Sequence, residues 1–372
     1  MHSTSGQKER ILSSPLGIVV AVTSRCNLSC PYCGQSADAK AVDALSLPIL
    51  RRIFKECEAA NVIKIDITGG EPFIRPDIFD ILSSIGHRQR VMLKTNAMLL
   101  DGKATKKLLE YKNLVGVGVS VDGGTADIHD ITRGKGSFEK VLKGISYLVE
   151  NNIKVGFMVT VNRNNAKKLE DIVLLCRETG ASNVSLNRPY FVGRGSNETC
   201  FHFTSREFGE TALLIRNLKN KYGKMIEDNE WAFRAEIEDM KKKLEESGFE
   251  KIDGLSFKGC NLGTSVLFIN SDGGVSPCSF MPDLSCDSIL DKSLMDIWRN
   301  SQGINDMRKQ FEAYSKSTSY AKQCCKSCKY TSICPPGCRA NSFSLYGHFE
   351  GIDPFVCMVD KYSTLFNKEE CI

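Results

Sequence analysis

Between residues 17 and 187, short apolar, β-branched runs alternate with amphipathic stretches, and no other property of this 372-residue chain limits its fold as tightly. The strand candidates are residues 17–24, 62–68, 90–95, 115–121, 154–161 and 183–187; the helical ones are 47–60, 77–85, 103–111, 138–151 and 166–178. Repeats of this kind predict an α/β fold with a parallel sheet and helical crossovers, closed or partly closed into a barrel. In such sheets chemistry gathers at the C-terminal strand ends, where the loops converge.

The loop after the first strand candidate reads Arg25-Cys26-Asn27-Leu28-Ser29-Cys30-Pro31-Tyr32-Cys33-Gly34. Three thiolates cannot close a tetrahedral zinc site, which wants four protein ligands. They can hold three irons of a 4Fe–4S cluster and leave the fourth to a non-protein ligand. A zinc knuckle with a distant ligand, or reduced cysteines without metal, is the alternative. The chain has 16 cysteines in all, clustered and without export information, and in a reducing compartment clustered cysteines read as metal ligands. No stretch is long and apolar enough for a membrane span or a signal peptide, so a cytoplasmic protein is expected. The net charge of +5 is spread among interspersed Lys, Arg, Asp and Glu, which indicates solvated surface and no nucleic-acid partner.

The C-x3-C-x2-C loop with an aromatic before its third cysteine resembles the signature of the radical S-adenosylmethionine (SAM) superfamily. The resemblance implies a partial (β/α)6 TIM-like barrel in which Cys26, Cys30 and Cys33 hold a 4Fe–4S cluster whose open iron chelates SAM. One electron then cleaves SAM to methionine and a 5′-deoxyadenosyl radical, which takes a hydrogen atom from the substrate. Tyr32 would lie near the adenine. Gly69-Gly70-Glu71-Pro72, at the second strand end, is similar to the GGEP element that binds the SAM amino group; its glycines would let backbone approach a ligand closely. Thr95-Asn96-Ala97 resembles a T-N-G element with Ala in place of Gly. Ser120 matches a position that contacts SAM, with Asp122 beside it, and Arg133 resembles an arginine that pairs with the SAM carboxylate. His129 is expected in a turn, and Asn162 is a weaker candidate.

After residue 200 the chain becomes charged and helix-prone, predicting two or three linking helices over residues 201–255. A β-hairpin is expected from residues 265–270 and 275–278. Cys260, Cys278, Cys325, Cys328, Cys334, Cys338 and Cys357 are similar, cysteine by cysteine, to the seven-cysteine SPASM module of a subset of radical SAM enzymes. Zinc remains an alternative, because C-x2-C pairs are common zinc ligands. The resemblance implies two auxiliary 4Fe–4S clusters, one on Cys260, Cys278 and Cys338, the other on Cys325, Cys328, Cys334 and Cys357. Some relatives carry a further cysteine just after the first; here Asn261-Leu262-Gly263 stands there, leaving an open iron or a role for Cys286. The expected organisation is a tail over 1–15, a barrel over 16–200, a linker over 201–255, the SPASM domain over 256–360 and a tail over 361–372. Cys57 and Cys176 fall in apolar helical stretches and are expected to be small buried hydrophobes.

What the resemblance implies is an oxidoreductase acting on a ribosomally made peptide, with a flavodoxin- or ferredoxin-type electron donor. About fifteen residues precede the first strand, so a separate leader-peptide-binding protein is expected. An anaerobic sulfatase maturase is the second reading; those enzymes carry Asp after the hairpin cysteine, where this chain has Ser279. Haem- and carbohydrate-modifying relatives share the module. An iron–sulfur electron carrier without catalysis would need the cysteines but not Glu71, Ser120 and Arg133.

Overall fold

The computed structural model describes residues 12–196, 203–227, 246, 263–281, 284–316, 338–349, 351 and 353. Strands β1 (Gly17–Ala21), β2 (Lys64–Thr68), β3 (Arg90–Thr95), β4 (Leu114–Ser120), β5 (Val155–Thr160) and β6 (Asn183–Asn187) pair in parallel in that order. Between them run α1 (Leu47–Ala59), α2 (Ile78–Ser83), α3 (Gly102–Leu108), α4 (Ala126–Arg133), α5 (Ser137–Glu150) and α6 (Leu169–Glu178). All six expected strands and all five expected helices are present, with ends shifted by three residues at most, except that Ala166–Lys168 forms a 3₁₀ turn before α6.

The strands alternate by parity. Ile18, Val20, Ile65, Ile67, Val91, Leu93, Val117, Val119, Phe157 and Val159 join the core with Leu50, Phe54, Cys57, Ile145, Leu148, Ile172 and Cys176 of the helices. The intervening residues, among them Val19, Thr68, Lys94, Ser120, Met158, Thr160 and Asn187, line a single cavity on the opposite face. One cavity shared by β1 to β6 requires the sheet to curl around it, as in a partial barrel. Cys57 and Cys176 are fully buried in the helical layer, as expected of small hydrophobes.

Three features depart from expectation. His129, expected in a turn, lies instead in α4; the Asp, His and Thr of that helix are poor helix formers, and burial of His129 and Thr132 holds it in place. His129 Nδ1 accepts from the Asp122 backbone N–H at 3.2 Å. Of the linking helices, one is described, α7 (Ser205–Tyr222), closed at its start by a Thr204–Glu207 capping box. It is followed by a short strand, β7 (Ile226–Glu227), parallel to β6; two residues are too few for a periodicity to reveal. The expected hairpin is formed by β8 (Val266–Ile269) and β9 (Gly274–Ser276), with β10 (Asp287–Ser288) beside β9. Yet β8 also pairs in parallel with β1, Phe268 opposite Val19. The ten-stranded sheet therefore runs β10-β9-β8-β1-β2-β3-β4-β5-β6-β7. Beyond it come α8 (Leu294–Asn300), α9 (Gln302–Lys316) and α10 (Arg339–Tyr346). Among the described residues no helix is long and apolar enough to cross a membrane.

Candidate functional site

The thiol loop leaves β1 and is anchored at its root by Asp43. That carboxylate accepts from Thr23 Oγ1 at 2.6 Å and the Ser24 N–H at 2.8 Å, and pairs with Arg25 Nε at 3.3 Å. The Gly69–Gly70 turn grips the same segment: Gly70 N–H donates to the Thr23 carbonyl at 2.7 Å and Glu71 N–H to the Arg25 carbonyl at 2.8 Å. A Cβ on Gly69 or Gly70 would lie 2.3 or 2.2 Å from those carbonyl oxygens. The glycines thus allow close approach to the thiol loop itself, and both also line the cavity where a ligand contact is expected. From the other side comes the turn after β6. Arg194 donates from its N–H to the Cys33 carbonyl at 3.1 Å, from Nε to Cys30 at 3.1 Å and from Nη1 to Ala37 at 2.8 Å. Gly193, at φ +55°, lies so close to the Cys33 and Gly34 carbonyls that a Cβ would overlap them. Asp43 and Arg194 are missing from the sequence-based site; the G-R-G triplet was the visible signal for the second, and nothing local marks the first.

Cys26, Cys30, Cys33, Tyr32, Gly69, Gly70, Thr95, Asn96, Ser120 and Arg133 all border the cavity, whose volume is about 360 Å³. Burial, with the charges of Glu71, Cys30 and Cys33, pushes the Cys26 thiol up to about 11, and burial raises Cys30 as well. Bound iron would reverse this, since a coordinated thiol is deprotonated outright. The donors fit an iron–sulfur cluster: three thiols of one loop face one cavity. Beside them Arg194 Nη2 is buried with no hydrogen-bond partner among the described residues, a donor available to an acceptor inside.

Four candidates, Glu71, Pro72, Asp122 and Asn162, stand behind the lining or off it. Glu71 is fully buried, and its carboxylate accepts from Thr95 Oγ1 at 2.7 Å, Asn96 N–H at 2.7 Å and Phe73 N–H at 3.1 Å. Pro72 follows it into a 3₁₀ turn. Asp122, also fully buried, accepts from the Tyr32 hydroxyl, from Arg133 Nε at 2.7 Å, from Thr132 Oγ1 at 3.1 Å and from Thr160 N–H at 2.9 Å. Burial pushes its carboxyl up, but Arg133 and these bonds outweigh it and hold it below the usual carboxylate range. Asn162 bonds within its own turn after β5, to Thr160, Asn164 and Asn165. Ala97 takes φ +59°, the left-handed region, which accounts for glycine at that place in the T-N-G pattern.

Two of the candidate auxiliary-cluster cysteines, Cys278 and Cys338, come close to this cavity. Ser279 and Phe280, directly after Cys278, are part of its lining, and Phe280 stacks on Tyr190 with ring centroids 3.7 Å apart. Cys338 N–H donates to Asp353 at 2.8 Å, and Asp353 pairs with Arg188 of the lining at 3.1 Å. Burial, then the charges of Asp353 and Cys278, pushes the Cys338 thiol up to about 12. Cys286 packs against the same small cluster of Met281, Met307, Ala340 and Phe349 as Cys278 and Cys338, but its thiol donates to the Leu284 carbonyl at 3.6 Å and faces Gly303 of α9. Cys260, Cys325, Cys328, Cys334 and Cys357 lie outside the described residues.

Comparison with known proteins agrees with this geometry. The profile of the radical SAM superfamily matches residues 20–176, and that of the SPASM iron–sulfur cluster-binding domain matches residues 260–329. An AdoMet-dependent heme synthase of Methanosarcina barkeri is 26% identical over 356 residues, spanning 92% of this chain and 96% of its own. The mycofactocin maturase MftC of Mycobacterium tuberculosis is 27% identical over 355 residues, spanning 94% and 84%. Streptococcus suis SuiB bound to precursor peptide SuiA superposes with a TM-score of 0.72 at 19% identity, over 93% of this chain and 76% of SuiB. Native anSMEcpe with bound AdoMet does so with 0.72 at 20% identity, over 94% and 95%. The chain thus carries a radical SAM superfamily domain over residues 20–176 and a SPASM iron–sulfur cluster-binding domain over residues 260–329.

Proposed function

We propose that this enzyme modifies a ribosomally made peptide, holding it between the SAM-side thiol loop and an auxiliary cluster. The observation that carries the proposal is the shared cavity: Ser279 and Phe280 of the auxiliary hairpin line the same space as Cys26, Cys30 and Cys33. When bound, the cluster and SAM supply a 5′-deoxyadenosyl radical that removes a hydrogen atom from the substrate. The chain's residues would do the placing. Cys26, Cys30 and Cys33 hold the cluster, and Arg133, fixed by Asp122, presents its guanidinium to the SAM carboxylate. Glu71 fixes Asn96 at the cavity edge, and Ser120 and Tyr32 flank the nucleoside. Cys278, Cys338 and Cys260 would take the first auxiliary cluster, and Cys325, Cys328, Cys334 and Cys357 the second.

The maturase relatives support a peptide, and so does the fold shared with a precursor-peptide complex. The heme synthase relatives support a second reading, a tetrapyrrole substrate, because the match spans nearly their whole length. Formylglycine formation ranks behind both, since the cavity-lining residue after Cys278 is Ser279, which has no carboxylate to act as base. The test is co-expression with short open reading frames encoded beside the gene, followed by mass spectrometry. A peptide mass change that disappears when Cys26, Cys30 and Cys33 are replaced supports the proposal. Turnover of an iron tetrapyrrole or a sulfatase-motif peptide, with no neighbouring peptide modified, overturns it.

A further inference from the structure

Among the described residues, the cavity wall carries four cations, Lys94, Arg133, Arg188 and Arg194, and neither Asp nor Glu. Three of them are backed by a carboxylate outside the lining: Asp122 behind Arg133, Asp353 behind Arg188 and Asp66 behind Lys94. Each pair turns its positive end inward, so the cavity presents a positive face although the pairs are neutral. The thiol loop takes Nε and Nη1 of Arg194 and leaves Nη2 over beside the thiols, and Arg133 has its place at the SAM carboxylate. Lys94 has no such task. Its neighbours Thr95 and Asn96 bind Glu71, whereas its own side chain points to the other face of β3.

Lys94 also belongs to a charged file that runs from the exposed Lys64 at the start of β2 to Asp66 and Lys94 in the barrel. Lys64, Asp66 and Lys94 share the lumenal face of β2 and β3, and Asp66 takes Lys64 at 3.1 Å and Lys94 at 3.0 Å. Two ammonium groups on one carboxylate leave a surplus positive charge. A charged lumen is costly to desolvate, and an apolar residue at position 94 would fill the space without that penalty. The layer in register with Asp66 is apolar, made by Val19, Met92 and Phe268. One step nearer the thiol loop, Lys94 lies in register with Gly118, which adds no side chain. The result is an ammonium inside the reaction cavity, held from below by Asp66 within a layer that Val19, Met92 and Phe268 otherwise make apolar.

We infer that Lys94 is the seat of a substrate carboxylate, so that the proposed peptide enters with an acidic side chain or its C-terminus against this lysine. The inference rests on the maturase proposal for the word peptide, but the carboxylate seat can be tested without it. The probes are N-acetylglutamate α-amide for a side-chain carboxylate, N-acetyl-glycylglycine for a C-terminal one, and N-acetylglutamine amide as the neutral control. Each is titrated by ligand-observed NMR into anaerobically reconstituted, SAM-loaded enzyme. At least one carboxylate probe should bind about ten-fold or more tightly than the neutral amide. Whichever probe binds distinguishes side chain from C-terminus. Lys94→Met should erase the preference and Lys94→Arg should keep it, with iron content as the check on folding. Lys94→Gln replaces the methionine variant if that one fails to load iron. Equal binding of amide and carboxylates to the wild type, no binding of either carboxylate, or a preference that survives the loss of the ammonium overturns the inference. A Lys94-dependent preference together with a non-peptide substrate leaves the seat standing and removes only the peptide. A modified peptide without the preference does the reverse.

Discussion

At the scale of single residues, the two buried carboxylates act through other groups. Glu71 accepts three hydrogen bonds and is fully buried, so its first task is to fix Asn96 and Thr95. Glu71→Ala should leave those donors without an acceptor and cost about 1–3 kcal/mol of stability. A lower thermal midpoint together with weaker SAM binding is the expected result. Weaker binding at unchanged stability would show instead that Glu71 contacts the SAM ammonium directly. His129 gives a pH test. Burial, with the Arg133 cation, lowers its imidazole from 6.5 to about 4. Between those values the unfolded chain binds a proton that the native state refuses, so stability falls as pH falls from 6.5 to about 4. His129→Gln should flatten the dependence of the thermal midpoint on pH across that window, and a slope equal to the wild type would show an ordinary imidazole.

At the scale of elements, the thiol loop is held by two turns and a carboxylate that reach it from β2, from β6 and from the segment before α1. A loop rich in polar backbone needs such partners to keep one conformation. Gly70→Ala would force a Cβ to within 2.2 Å of the Arg25 carbonyl, and backbone on both sides leaves no flexible group to yield. The expected outcome is a marked drop in reconstituted iron and in SAM cleavage. Gly102→Ala is the control: it begins α3 with open space at the Cβ, so iron content should not change. Equal loss in both variants would mean that the effect is not specific to the loop.

At the scale of the molecule, the parallel pairing of β8 with β1 makes the auxiliary hairpin part of the barrel wall. That continuity brings Cys278 near the cavity through Ser279 and Phe280. Three four-iron clusters would give about twelve irons per chain, of which about four should vanish when Cys26, Cys30 and Cys33 are replaced together. Cys286→Ala should leave iron content and cluster spectra unchanged, because its thiol is turned to Leu284 and Gly303. Cys278→Ala should alter them. An altered spectrum for Cys286→Ala would make that thiol the missing ligand.

The sequence alone determined the parallel barrel, because strand and helix periods are local properties: Lys64-Ile65-Asp66-Ile67-Thr68 already shows which side chains meet the helices. It also determined the thiol loop, whose spacing is local too. Tertiary structure decided what each matched residue does. Packing shows that Glu71 and Asp122 are buried and hydrogen-bonded to groups of other elements, which the sequence does not show, and that the 126–133 segment is a helix with His129 and Thr132 buried. Asp43, Arg194 and the Lys64–Asp66–Lys94 file could not be read from neighbours in the chain. Their partners stand on other strands and loops, and the free energy of such contacts exists only once the sheet has curled.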